Sequence, residues 1–215
     1  TAMIKDNKKI NPFKTYKQPF VRIDNKPALS IVVTNLGLST KVTEDVIENF
    51  PKEVSIAFSP YTENLDLLIS TAREKGHEVW IMLPSETENY PIIDSGPFTL
   101  LTSASVQQNN NRIYRILSSG KGFVGLIPEK DHIFKEEDTN INPAIKTIFE
   151  EGFAVLDSVT SGKSFASNIA YKKDYPYSTN NFWLDDNLTP LALNQRIRQM
   201  IEYGEILPQS GKEES

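Results

Sequence analysis

The sequence has no cysteine and only two histidines, His77 and His132, in 215 residues. Without a thiol there is no cysteine nucleophile, disulfide framework, thiolate zinc site or iron–sulfur cluster. Two imidazoles rule out a three-histidine zinc site, so any metal would have to draw on carboxylates. The missing cysteine fits oxidising and reducing compartments equally. No apolar run approaches the roughly 20 residues of a membrane span, and there is no signal-peptide pattern. The chain starts at Thr1 without a methionine, which leaves room for an upstream leader or anchor.

What is present suits one larger α/β domain: 39% apolar residues, 24% charged residues, eleven Phe and eight Tyr. A net charge of −5 argues against a nucleic-acid partner, which calls for a concentrated basic surface. The charge is uneven. Residues 1–26 carry seven Lys/Arg against two acids, a net of +5 that leaves the other 189 residues at −10. These 26 residues lack periodicity and read as an extended arm or linker. Residues 27–208 form the domain, and 209–215 a polar, disordered tail.

Within the domain, short apolar runs alternate with amphipathic stretches. Strands are expected at Ala28–Val33, Val54–Phe58, His77–Leu83, Phe123–Ile127 and Phe153–Leu156, and again near Tyr175–Tyr177 and Phe182–Leu184. Helices are expected at 42–50, 65–72, 106–117, 142–150, 164–171 and 189–203; in the second, Leu65, Leu68, Ile69 and Ala72 fall at i, i+3, i+4 and i+7. Almost wholly apolar strands separated by helices describe a parallel sheet buried on both faces. Periodicity alone leaves a small α/β barrel and an open doubly wound sheet equally open.

In either fold, chemistry belongs at the carboxyl ends of the strands. That rule removes His77, which opens the third strand about 20 Å from the rim at about 3.3 Å per residue; it reads as a structural histidine bonding backbone. His132, in the charged loop Glu129–His132, reads as a solvated loop residue. The rim offers Thr34, Asn35, Tyr61, Glu86, Glu129, Ser158, Thr160 and Asp185 as candidate substrate-binding residues. Asp157 is the candidate catalytic carboxylate, with an N-cap role as the plainer reading. Asp185-Asp186 could hold a hard cation through oxygen or simply cap a helix. Tyr61, Tyr90 and Trp183 could stack on sugars or serve as packing aromatics. There is no phosphate loop, dinucleotide fingerprint or G-x-S-x-G elbow, so an intracellular nucleotide enzyme is set aside.

Six rim segments resemble, in order and wording, the divergent polysaccharide deacetylases, a branch of the NodB-like carbohydrate esterase superfamily. They are Leu29–Ser39 (LSIVVTNLGLS), Val54–Tyr61 (VSIAFSPY), Gly76–Glu86 (GHEVWIMLPSE), Asp94–Leu100 (DSGPFTL), Asp157–Ala166 (DSVTSGKSFA) and Phe182–Asp185 (FWLD). The resemblance implies a distorted seven-stranded (β/α) barrel and an extracytoplasmic bacterial protein, periplasmic or envelope-anchored. It also implies metal-assisted removal of acetyl groups from glycans, with an Asp as base.

At the family's Asp-Asp pair this sequence has Thr34-Asn35, and a neutral amide supplies no charge for a divalent ion. Ile127-Pro128-Glu129-Lys130 replaces the Asn-His block, while Met82 and Ser85 stand where many members have His and Met. Glu86, Asp157, Ser158 and Thr160 persist, with Val159 where Arg is common. The expectation is therefore a protein without metal or cofactor that binds a glycan or a cell-envelope protein. The competing expectation is an active zinc- or other divalent-cation deacetylase rebuilt around Glu86, Glu129 and Asp157.

Overall fold

The apolar runs become strands because both of their faces are covered. The computed structural model describes residues 4–5, 8–21, 28–158 and 165–206. Six parallel strands pair in chain order: β1 (Val32–Leu36), β2 (Ser55–Phe58), β3 (Val79–Leu83), β4 (Gly125–Pro128), β5 (Ala154–Asp157) and β6 (Tyr177–Thr179). The helices are α1 (Pro12–Tyr16), α2 (Thr40–Asn49), α3 (Leu65–Glu74), α4 (Val106–Leu117), α5 (Asn142–Glu150), α6 (Ser167–Tyr171) and α7 (Pro190–Ile206).

The strand order never reverses, so the doubly wound alternative, which needs a switch point, is not adopted. Alternation along each strand separates two apolar layers. Ile56, Phe58, Ile81, Leu83 and Val155 join the large core with residues of α2 to α6. Ala57, Met82 and Ile127 turn to the other face, with Val32, Trp80 and Leu156 against them. Each fully buried Ile or Phe of the large core contributes about 1.5–3 kcal/mol relative to exposure. At Gly125 the neighbouring strand leaves no room for a side chain: a Cβ there would lie 2.4 Å from the Ala154 carbonyl oxygen and 2.6 Å from the Trp80 ring.

Two expectations are corrected. The sheet has six strands among the described residues, not seven, and it does not close into a barrel. Phe182–Leu184 form no ladder: they are flanked by Asn180-Asn181 and Asp185-Asp186-Asn187, residue types depleted in strands. The sixth strand also starts at Tyr177, two residues later than expected.

The basic arm is not simply extended. Asn11 accepts from the Lys14 backbone N–H (2.9 Å) and caps α1, with Pro12 at its first turn. This short helix docks under the amino ends of the strands. Phe13 N–H donates to the Gly152 carbonyl (3.0 Å), and Arg73 donates to the carbonyls of Tyr16 (2.9 Å) and Gly122 (3.0 Å). Lys14 and Lys17 of the arm thus belong to the end of the sheet opposite the candidate site.

His77 lies where the sequence puts it, buried at the amino end with Nδ1 2.8 Å from the Val54 carbonyl and Nε2 3.2 Å from the Ile47 carbonyl. The Gln107–Asn111 run is helical: Ser105 and Gln108 form a capping box, and buried Asn109 bonds both the N–H and the carbonyl of Leu101.

Candidate functional site

The carboxyl ends of the strands open onto two adjoining clefts. The first, ≈ 430 Å³, is lined by Asn35, Ser59, Tyr61, Met82, Asp94 and Glu129, among others. The second, ≈ 740 Å³, is walled by Thr87, Glu88, Glu129, Lys130, His132 and Trp183, among others. Glu129 and Ser95 line both, which puts the Glu129 carboxyl at their junction.

Chain geometry fixes that position. Pro128 ends β4, and the Glu129 carbonyl then accepts from Ser158 Oγ (2.7 Å) and from the His132 N–H (3.3 Å). Burial pushes the Glu129 carboxyl above its ordinary range, and the neighbouring Asp131 charge pushes the same way, while a hydrogen bond from Ser95 opposes them. Tyr61 is likewise raised, first by burial. The backbone bond from Phe98 and the charge of Arg112 lower it, and the charges of Asp94 and Glu129 raise it. Its hydroxyl accepts from the Phe98 N–H (2.9 Å), and its ring stacks on Phe98 at 5.1 Å.

The two adjacent residues at the end of β1 part company. The strand register shifts between Val33 and Leu36, and Asn35 adopts φ 59°. Asn35 therefore lines the first cleft, whereas Thr34 lines a third cavity on the other side, together with Asp185 and Ser158. Gly37 follows with φ 96°, a conformation that suits glycine, and a Cβ there would overlap Thr62.

Other rim candidates are committed elsewhere. Glu86 accepts from the Thr102 N–H (2.6 Å) and hydroxyl (2.8 Å), fastening a loop. Ser85 is buried and donates to the Leu83 carbonyl (2.7 Å). Asp185 is exposed, and Thr160 lies outside the described residues, as does Val159.

Asp157 is fully buried, and its carboxylate does not face either rim cleft. Its Oδ1 is 3.1 Å from His132 Nε2, and the Tyr177 hydroxyl lies 3.5 Å from Oδ2. His132 is thus not the solvated loop residue expected from its charged neighbours. Its side chain is 1% exposed and packs against Phe134 and Phe165, both with centroids at 5.1 Å. The Phe134 N–H points at Nδ1 (3.3 Å), so Nε2 carries the proton and donates to Asp157. Both ring nitrogens are spent. The sequence signal for this was the alternation His132-Ile133-Phe134, which puts His132 and Phe134 on the same side.

Across the second cleft, Lys130 pairs with Asp186 and lies 5.2 Å over the Trp183 ring. Arg196 of α7 reaches Asp186 at 3.2 Å, and Trp183 Nε1 donates to the Ser158 carbonyl (3.1 Å). Thr87 Oγ1, in the same wall, has no hydrogen-bond partner among the described residues.

A metal of the kind the resemblance implies does not fit the side chains at hand. Among the described residues no three His, Asp or Glu side chains gather in a way that could hold an ion.

With this geometry in view, the relatives are informative. The family model for divergent polysaccharide deacetylases matches residues 31–205. The chain belongs to that family. An uncharacterized protein of Haemophilus influenzae is 23% identical over 175 residues, 81% of this chain. The match spans 61% of that relative's length. The crystal structure of an uncharacterized protein from Agrobacterium tumefaciens C58 superposes with a TM-score of 0.84 at 24% identity. It covers 94% of this chain and 82% of that one, and supports the fold. No helix among the described residues is long and apolar enough to cross a membrane.

Proposed function

We propose that this deacetylase-family protein binds a glycan at the carboxyl rim without catalysing its deacetylation. The observation that carries this reading is the divergence of Thr34 and Asn35. The two residues at the family's Asp-Asp position are uncharged and line different cavities. The rim carboxylates, Asp94 and Glu129 among them, do not gather in threes with one another or with an imidazole among the described residues, short of the several anionic or imidazole ligands such sites use.

What remains suits sugar recognition: an open cleft with an amide (Asn35), carboxylates (Asp94, Glu129), a phenol (Tyr61) and an indole (Trp183). Asp94 holds the wall of the first cleft, its Oδ1 accepting from the Gly96 N–H (2.9 Å). The family's usual setting makes an extracytoplasmic glycan the natural ligand. A cell-envelope protein is the second reading, favoured by Leu38 and Ile92, which stand 70% and 92% exposed near the rim.

Protein purified without chelator is expected to carry no stoichiometric divalent metal and to release no acetate from acetylated chito-oligosaccharides. It is expected to bind those oligosaccharides saturably. Asn35→Gly, which keeps the backbone conformation and removes the amide, should weaken binding up to about tenfold. Stoichiometric metal with acetate release that Glu129→Gln abolishes would reverse the reading in favour of an active enzyme.

A further inference from the structure

Where the sheet fails to close, residues 181–185 follow β6 and lie beside β1 without joining the ladder. A third cavity of ≈ 330 Å³ remains in this seam. Its walls are largely aliphatic. Val32 and Val33 come from β1, Ile127 from β4, Leu156 from β5, Leu184 from the segment after β6 and Met200 from α7. Polar Thr34, Ser158 and Asn180 stand at the carboxyl ends of β1, β5 and β6, toward the rim, while Asp185 comes from the segment after β6 and Ser30 precedes β1 at the other end.

The seam is not isolated from the rim. Ser158 and Trp183 line both this cavity and the ≈ 740 Å³ cleft. Trp183 is fixed in that shared wall by its bond to the Ser158 carbonyl and by Lys130 over its ring. An apolar chamber thus adjoins a polar one.

We infer that the seam takes the aliphatic chain of an acylated or lipid-linked sugar whose glycan part occupies the rim cleft. This rests on the glycan-binding reading and narrows it to an amphiphilic ligand. A chamber of this volume, mostly apolar with a few polar groups, most of them on the rim side, has the make-up of a small-ligand site. An aliphatic chain entering it leaves water for side chains of matching polarity. A free polysaccharide would leave the seam unused.

The test is a series of alkyl β-glucosides, from ethyl to octyl, titrated below their micelle concentrations, with acetylated chito-oligosaccharide and 1-octanol alongside. Affinity should rise by up to about fourfold per added methylene while the chain is being buried, then level off when the seam is full. The Met200 methyl resonance should move with octyl glucoside and stay put with glucose. Val32→Phe and Leu156→Phe fill the chamber from opposite walls, and in either folded variant the rise with chain length should vanish.

Affinity independent of chain length, with chito-oligosaccharide still binding, would overturn the inference and leave the glycan reading standing. Octanol binding as tightly as octyl glucoside would also overturn it, since the sugar would then contribute nothing. So would a chain-length dependence that survives in both filled variants, or a Met200 methyl that ignores octyl glucoside. Failure of every sugar to bind would remove both readings together.

Discussion

The two histidines occupy opposite ends of the sheet and are buried in opposite ways. At the amino end, His77 faces two backbone carbonyls, those of Val54 and Ile47, and ties α2 to the start of β2. At the carboxyl end, His132 donates to the side chain of Asp157 and accepts from a backbone N–H, between two phenylalanines. One end spends its imidazole on main chain. The other spends its imidazole on the carboxylate that the sequence marked for catalysis. Backbone partners make the amino end a structural floor, joined there by the arm through Phe13 and Arg73. At the rim the dyad anchors the loop that aims Glu129 into the clefts.

The comparison is tested hardest by His132→Ala. It leaves the Asp157 carboxylate buried without its imidazole partner and opens space between Phe134 and Phe165. A loss of about 3–5 kcal/mol in urea denaturation is expected. A loss under about 1 kcal/mol would mean that the dyad is not what holds the rim. His77→Ala should cost less, about 2–3 kcal/mol, because neutral carbonyls are cheaper to strand than a carboxylate. If the two variants lose equally, the distinction between the ends fails.

Glu129→Gln should act in the other direction. The folded protein binds the Glu129 proton more tightly than the unfolded chain does. That carboxyl therefore favours folding fully at pH below the ordinary glutamate range, and the benefit fades as pH rises toward its raised folded value. Removing the charge should flatten the decline in stability across that window, read from urea midpoints at a series of pH values. An unchanged slope would say that Glu129 is better solvated than its place between the clefts implies. The smallest effect belongs to Asp186→Asn. Its pairs with Lys130 and Arg196 are partly exposed, so the change should cost about 0–1 kcal/mol and shrink further at high salt.

Much of the fold was legible in the sequence. Helices α4 and α5 begin and end where the periodicity puts them, and the first five strands fall within a few residues of their apolar runs. A run of apolar residues needs burial whatever surrounds it, so local pattern suffices there. Closure of the sheet was not legible. Whether Phe182–Leu184 becomes a seventh strand depends on an edge supplied by residues some 150 positions earlier, and that edge is left open.

The rim was legible by position but not by pairing. Asn35, Tyr61 and Glu129 meet around one cleft, as their places at the end of β1 and after β2 and β4 suggest. Glu86 and Asp157 looked equally available, and each is spent on a neighbour distant in sequence, Thr102 and His132. Lining Asp94 lay within a motif already recognised, yet nothing local separated it from an ordinary loop aspartate.

The sequence by itself determined an α/β domain of deacetylase lineage that is poor in metal-binding side chains, because composition and segment order are written in the chain. Tertiary structure alone decided what those few side chains do. A hydrogen bond such as that between His132 and Asp157 joins residues 25 positions apart. Its existence turns on which loop a strand end meets in space, and no local pattern carries that information.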